Sequence, residues 1–222
     1  LCLRKYIEYL LKNRYNIKVF IEGTRSRSGK MLPPAYGILK MVMETCTQGA
    51  VDDIALVPTS LCYDEVLEQG SYNKELRGGK KEQESATGFL KAGKLIQRNI
   101  GKVYVHFGTP MGVKDIYQNA ADIGQDATLM LQKTAFELSK RINDATPITP
   151  KAIVSSIFLG GTERELSLIE VLRQSCEFAN YADFKKAPMS VPSGDGFKSS
   201  VEQIIRRVVK SGVITQNSDG PR

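Results

Sequence analysis

Residues 20–30 (FIEGTRSRSGK) combine three basic side chains with small residues that leave the backbone accessible. A guanidinium can hold a phosphate through two parallel hydrogen bonds, and glycine and serine let backbone N–H groups approach an anion. From Gly23 to Met43 the chain has four basic residues and no acidic one. The segment therefore predicts a site for a phosphate monoester. A solvated basic turn between a strand and a helix is the competing interpretation.

The glycine spacing argues against a nucleotide-binding P-loop. Five residues separate Gly23 from Gly29, and Met31 stands where that motif needs a serine or threonine to hold magnesium. Glu22, directly before the loop, is placed to orient the two arginines and to keep the loop in one conformation. The presence of Glu22 therefore favours an ordered phosphate-binding loop over a solvated turn.

The elements around the loop predict an α/β fold, with a partial, mostly parallel sheet and flanking helices. We predict that the strand leading into the loop brings its basic residues to the carboxyl edge of the sheet, where such folds bind ligands. Pro58 interrupts the second strand and predicts a bulge or an end there. The predicted elements are a helix over Leu3–Leu11, strands over Ile17–Glu22, Ile54–Cys62 and Val103–Phe107, and helices near Tyr36–Thr47, Phe89–Ile96 and Ala127–Ile142.

The sequence pattern changes around residues 144–150 (DATPITP). We predict two domains: residues 1–145, which contain the loop, and residues 146–222, a small helical C-terminal region. Helices are predicted over Pro150–Leu159, Leu166–Tyr181 and Ser199–Lys210. Three short helices can mimic a DNA-binding fold, but a solvated helix face explains the basic residues of the last helix more simply.

The composition favours anionic partners. The chain has 222 residues and a net charge of +7, from 31 lysines and arginines against 24 acidic residues. Nucleic acid, an anionic membrane and phosphorylated ligands all suit this balance. Four cysteines without C-x-x-C spacing predict reduced, buried thiols rather than disulfides or a metal site. No stretch reaches the roughly 18 apolar residues of a membrane-spanning helix, so any membrane contact of these residues is predicted to be peripheral.

Four ordered blocks resemble the glycerolipid acyltransferases. The string EGTRS after an apolar strand is similar to their third block, and residues 20–30 look like the branch that acylates glycerol-3-phosphate or dihydroxyacetone phosphate. Lysophosphatidate acyltransferases usually carry a proline before the glutamate, where this chain has Ile21. Residues 55–64 resemble the fourth block. Residues 72–82, 105–111 and 142–150 are similar to the bacterial membrane-bound glycerol-3-phosphate acyltransferases, so the resemblance covers about residues 1–150.

The resemblance implies a fatty acyl transfer from a thioester, acyl-CoA or acyl carrier protein, to glycerol-3-phosphate. In this family a histidine, with an aspartate five positions later, acts as the base. The one histidine of this chain is His106, with Met111 five positions later, and it follows the blocks that the catalytic histidine should precede. No catalytic residue is therefore assigned here. Because the chain begins at Leu1 within a predicted helix, we expect a missing upstream segment, and we expect these residues alone to be inactive. No cofactor or metal is implied.

The resemblance also implies roles for individual residues. Arg25 would clamp the phosphate, Thr24 and Arg27 would support it, and Pro58 would shape a substrate wall. A second basic group would contact the phosphates of coenzyme A, an acidic carrier protein or anionic lipid, or else form a solvated charged loop. The implied substrate-binding residues are Glu22, Gly23, Thr24, Arg25, Ser26, Arg27 and Pro58, and the second group is Lys74, Arg77, Lys80 and Lys81.

Two alternatives stay open. One is acylation of dihydroxyacetone phosphate, which carries the same phosphate. The other is a non-catalytic basic module that binds anionic lipid or nucleic acid. The ordered blocks favour the enzyme, for which the resemblance implies peripheral contact with an anionic membrane at its cytoplasmic face and no nucleic-acid partner.

Overall fold

The computed structural model describes residues 2–24, 26, 30–63, 102–122, 124, 126–161 and 165–217. Within these ranges the chain is mainly helical, with four short strands. The helices are α1 (Cys2–Lys12), α2 (Tyr36–Thr47), α3 (Val113–Asp122), α4 (Ala127–Asp144), α5 (Pro150–Gly160), α6 (Leu168–Phe184) and α7 (Asp195–Lys210). The strands are β1 (Ala55–Leu56), β2 (Thr59–Tyr63), β3 (Val103–Phe107) and β4 (Met111–Gly112).

Side-chain caps fix where three of the helices begin. The carboxylate of Asp126 accepts hydrogen bonds from Thr128 N and Leu129 N at the start of α4. Thr149 Oγ1 does the same at α5, and Ser167 Oγ at α6. Each cap satisfies an N–H group that has no partner inside its helix. These local signals explain why the predicted helices lie close to the observed ones.

The strands do not confirm the predicted mostly parallel sheet. β1 pairs with β4 in antiparallel register, with Ala55 opposite Gly112 and Leu56 opposite Met111. β2 pairs with β3 in a second two-stranded sheet. The predicted strand Ile54–Cys62 is split at Val57 and Pro58, as expected of a proline that lacks the ladder N–H.

The predicted strand Ile17–Glu22 was wrong. This segment forms no strand, and Val19 and Phe20 are 43% and 71% exposed. β-branched and aromatic residues suit a pleated, half-buried surface, but a strand also needs a neighbour for its backbone groups. No strand in the described part of the chain pairs with it. The placement of the loop at a sheet edge, which depended on this strand, is not confirmed either.

The described chain divides into two compact units. The first includes the residues up to Ser60 and Val105–Ala145, and its core lies among α2, α3 and α4. Ile21 packs against this core just before the basic loop. The buried members of the core are Leu39, Met43, Val113, Met130, Ala135 and Leu138.

Helix α3 was not predicted from the sequence. It begins where Asp53 Oδ1 accepts a hydrogen bond from Lys114 N at 2.9 Å and Ile54 O accepts one from Val113 N at 3.0 Å. Its capping residue is therefore supplied from 61 positions earlier in the chain. A cap so far away in sequence gives no local signal.

The second unit contains residues from Thr146 onward, in which α5, α6 and α7 pack pairwise against one another. Phe197 lies at its centre and is 1% exposed. Around it are Ile153, Val154, Ile157, Ala179 and Val201. The three helices predicted for this region are confirmed.

Most exposed charges on the helices are paired along the same helix. Glu8 accepts hydrogen bonds from Lys12 and Lys5, each at 2.8 Å, and these bonds lower its pKa to about 2. Lys140 lies 2.6 Å from Asp144. Such exposed pairs contribute little to stability, but they partly neutralise the charge of the lysines that form them.

Two helices end on a basic residue in the left-handed conformation. Arg14, after α1, has φ +59°, and Lys186, after α6, has φ +55°. In both, the next N–H reaches back five residues: Tyr15 N to Leu10 O, and Ala187 N to Ala182 O, each 2.9 Å. This helix ending usually carries glycine, because a Cβ is strained there.

Replacing Lys186 by glycine is expected to raise the free energy of unfolding of the second unit by about 0.5–1 kcal/mol. Relief of left-handed strain exceeds the extra chain entropy that glycine gives the unfolded state. Urea denaturation followed by circular dichroism measures it. Lys185, with φ −79°, provides the control, because Lys185→Gly should lower stability. A lower stability of Lys186→Gly would contradict the strain assignment.

Candidate functional site

The basic loop begins with a tight turn that requires glycine. Gly23 N donates to Phe20 O at 3.1 Å, and Gly23 has φ +67°. A Cβ at this position would lie 3.1 Å from Ala35 Cβ, on the far side of the loop. Glycine is therefore needed both for the left-handed backbone and for the close approach of the two ends of the loop.

Two hydrogen bonds close the neck of this loop. Ala35 N donates to Ile21 O at 2.7 Å. Glu22 Oε2 accepts from Leu32 N at 2.8 Å. The half-buried carboxylate of Glu22 thus holds the C-terminal end of the loop, at Leu32, by a charge-assisted hydrogen bond. Residues 21–22 and residues 32–35 are therefore joined at one place, the neck of the loop.

One further hydrogen bond joins two described residues of the loop. Ser26 Oγ donates a short hydrogen bond to Lys30 O. Ser26 is half-buried, whereas Gly23 and Thr24 are exposed. This bond holds the backbone of Lys30 next to the side chain of Ser26.

The loop leads directly into the N-terminus of a helix. α2 begins at Tyr36, one residue after Ala35, and its first turn contains no acidic residue. Ala35, the residue before α2, has no polar side chain that could accept hydrogen bonds from the first N–H groups of the helix. The N-terminal end of a helix favours an anion through its dipole and its unpaired N–H groups. Leu39 and Met43 bury the other side of α2 in the core and fix its position.

The predicted site residues fall into three groups. The structure brings Glu22, Gly23, Thr24 and Ser26 together in the closed loop. Pro58 lies instead in the interior, where its carbonyl accepts from Gly108 N at 2.7 Å, and the described contacts do not join it to the loop. Arg25 and Arg27, and the second basic group at positions 74, 77, 80 and 81, lie outside the described residues.

Sequence reasoning missed a second fixed turn, after β3. A Cβ on Gly108 would lie 3.3 Å from Pro58 Cβ and 3.6 Å from Arg141 O. Arg141 Nη1 donates to Thr109 O at 3.3 Å, while its Nε donates to Glu137 Oε1 at 2.7 Å. Glycine directly after an alternating strand was the available signal. His106, in β3, is half-buried.

The described residues contain no group of three or more histidine, cysteine, aspartate or glutamate side chains that could hold a metal ion. Within the same residues, no helix has the length and apolarity needed to cross a bilayer.

Two family profiles match the chain. The profile described as glycerol-3-phosphate acyltransferase C-terminal region matches residues 72–222, and one described as acyltransferase matches residues 2–61. The matched residues include both the closed loop and the three-helix unit.

Curated relatives agree with these profiles. Acyltransferase plsB1 of Mycobacterium bovis and that of Mycobacterium tuberculosis are 30% identical over 213 residues, which is 96% of this chain and 34% of theirs. A dihydroxyacetone phosphate acyltransferase from Oryctolagus cuniculus is 43% identical over 113 residues, or 50% of this chain and 17% of that protein. The chain therefore spans about a third of the length of the mycobacterial relatives.

Proposed function

The chain belongs to the glycerol-3-phosphate acyltransferase family, and from that premise we propose that its closed loop binds the phosphate of glycerol-3-phosphate in a 1-O-acyltransferase. The main support for the proposal is the pair of hydrogen bonds that closes the neck of the loop. Leu32 N donates to Glu22 Oε2 at 2.8 Å, and Ala35 N donates to Ile21 O at 2.7 Å. A loop fixed before ligand arrives loses less entropy on binding than a loose one.

In the proposed reaction the 1-hydroxyl oxygen attacks the carbonyl carbon of an acyl thioester. A C–O bond forms, the C–S bond breaks, and the hydroxyl proton passes by way of a base to the departing sulfur. The products are lysophosphatidate and a thiol. Residues of this chain hold the phosphate end of the acceptor, so that its hydroxyl is presented in one orientation. We assign no base among these residues.

Within the loop, Arg25 is proposed as the phosphate clamp, with Thr24, Ser26 and Arg27 as supports. The sequence places Arg25 two residues after the fixed Gly23 and one residue before Ser26, which is itself held to Lys30. Pro58 is proposed as part of a substrate wall only through the backbone turn that its carbonyl fixes at Gly108. Lys74, Arg77, Lys80 and Lys81 are proposed to meet the phosphates of acyl-CoA or an acidic acyl carrier protein.

Arg25→Ala is expected to weaken glycerol-3-phosphate binding by about 10- to 100-fold, because a charge-assisted hydrogen bond contributes about 1.5–3 kcal/mol. Isothermal titration of the chain with glycerol-3-phosphate, and with inorganic phosphate, measures the change. Arg206→Ala removes the same charge from an exposed position on α7 and should bind like the unaltered chain. Equal affinities for the two variants would contradict the clamp.

Dihydroxyacetone phosphate is the second candidate acceptor. The 43% identity to the Oryctolagus cuniculus enzyme, which covers half of this chain, favours it specifically. Both compounds carry the same phosphate and differ at the middle carbon. Competition between the two in an acylation assay with the full-length protein separates them.

A non-catalytic basic module is the alternative from another class. Its binding would fall steeply with salt and would respond to Arg25→Ala no more than to any other single charge loss. The closed neck and the family membership both favour a specific phosphate site. Titration of the phosphate affinity against salt concentration distinguishes the two.

The division of the chain is proposed to follow function. Residues 1–145 would be the C-terminal part of the acyltransferase domain, and residues 146–222 a helical appendage. The proposed product, lysophosphatidate, is an amphipathic lipid, so we propose peripheral association with an anionic membrane at its cytoplasmic face.

A further inference from the structure

Two exposed aromatic rings and a lysine form one cluster at the C-terminal end of α6. Lys185 Nζ lies 5.7 Å from the centroid of the Tyr181 ring and 5.8 Å from that of Phe184. Tyr181 is 59% exposed and Phe184 is 78% exposed, although both lie on a helix whose other face is buried. Together with Lys186, the next residue, these side chains form the aromatic–lysine tip.

In the described part of the chain, the two lysines of the tip lack the ion pair that some lysines on the helices form. Lys12 and Lys140 each pair with a carboxylate one turn away. Among the described residues, neither Lys185 nor Lys186 forms an ion pair. The acidic neighbour, Asp183, accepts a hydrogen bond from Ser193 Oγ instead. The tip therefore presents two ammonium groups for an external anion.

The backbone at Lys186 offers a variant that separates loss of charge from loss of folding. Lys186 occupies a left-handed position, φ +55°, at which glycine would be unstrained. The strain is not needed for the helix ending, because glycine makes the same hydrogen bonds. Lys186→Gly therefore removes the charge without losing the hydrogen bonds that end the helix.

We infer that the aromatic–lysine tip docks on the surface of a bilayer that contains anionic phospholipid. Aromatic rings settle at the level of the headgroups, where the apolar ring is buried and polar groups stay wet. Ammonium groups beside them meet the lipid phosphates and gain from the negative surface potential. The headgroup region of a bilayer can admit the protruding ring of Phe184, which is 78% exposed. The inference rests on the proposed membrane association and deepens it by naming the surface.

Sedimentation of the whole chain with vesicles tests the inference. The vesicles contain equimolar phosphatidylglycerol and phosphatidylcholine, and a second set contains phosphatidylcholine alone. Lys186→Gly should bind anionic vesicles about fivefold more weakly, although its melting temperature should rise, so loss of folding cannot explain the result. Phe184→Ser should weaken binding by about tenfold, because serine has no apolar ring to bury among the lipids.

Matched controls stand elsewhere in the chain. Arg14→Gly removes one charge from the same kind of left-handed position after α1. Phe107→Ser removes a ring that is 72% exposed, close to the exposure of Phe184. Both controls should sediment with anionic vesicles like the unaltered chain.

The outcomes separate the surface from the wider proposal. Weaker binding by the tip variants, with normal binding by the controls, supports the tip. Equal binding by all variants overturns the tip and leaves membrane association standing. No sedimentation of the unaltered chain with either vesicle overturns both, whereas the phosphate affinity of the loop, measured separately, is unaffected.

Discussion

Gly23→Ala is expected to weaken glycerol-3-phosphate binding by about 30- to 100-fold while the helices stay folded. Alanine at φ +67° adds about 1–2 kcal/mol of left-handed strain. Its Cβ would also lie 3.1 Å from Ala35 Cβ, so the two ends of the loop must shift apart by a few tenths of an ångström. Opening the neck lowers the fraction of molecules whose loop is competent to bind, and the apparent affinity falls by the same fraction.

Gly49→Ala is the matched control for this prediction. Gly49 has φ +68°, nearly the same backbone angle, but a Cβ there meets no atom within 4 Å. It follows α2 rather than the loop, so the variant carries the backbone strain without opening the neck. Calorimetric titration with glycerol-3-phosphate should show near-normal affinity for Gly49→Ala. Similar affinities for the two alanine variants would disprove the importance of the neck.

Phe197→Ala is expected to destabilise the three-helix unit by about 3–5 kcal/mol, through the loss of apolar burial and the cavity left behind. The side chain is 1% exposed and packs among residues of α5, α6 and α7. Because all three helices meet at this ring, no single helix can move in to fill the space. Urea denaturation monitored by circular dichroism measures the change.

Phe184→Ala tests whether burial, and not the aromatic ring itself, produces that effect. Phe184 is 78% exposed, so its removal should change the free energy of unfolding by less than about 0.5 kcal/mol. If the two alanine variants unfolded at the same urea concentration, Phe197 would not be the centre of the core.

The parts of the fold that could be predicted depend on local signals. α2 has the predicted bounds because its apolar residues recur at helical spacing after two prolines. Pro58 split its strand because a missing N–H acts at the residue itself. The strand over residues 17–22 was wrong because its existence depends on a neighbour, which composition does not reveal. Helix α3 was missed because its cap, Asp53, is remote in sequence.

The same distinction applies to the site. A glycine and a carboxylate before a basic loop were visible in the sequence, and the resemblance to a family pointed to phosphate. The partner of Glu22, the backbone N–H of Leu32, was not predictable, because it depends on the path that the loop takes over ten residues. The assignments of Arg25 and of the second basic group stay predictions.

The remote cap of α3 has a consequence for how the chain folds. In the three-helix unit, α6 packs against both of its neighbours in sequence, and α5 also packs against α7 across the intervening helix. In the first unit, the contact between Asp53 and Lys114 closes a segment of 61 positions. Closing a long segment costs entropy before its contacts repay it, and topologies rich in distant contacts fold more slowly. We therefore expect the pairing of α6 with its neighbouring helices to form before the β1–β4 pairing.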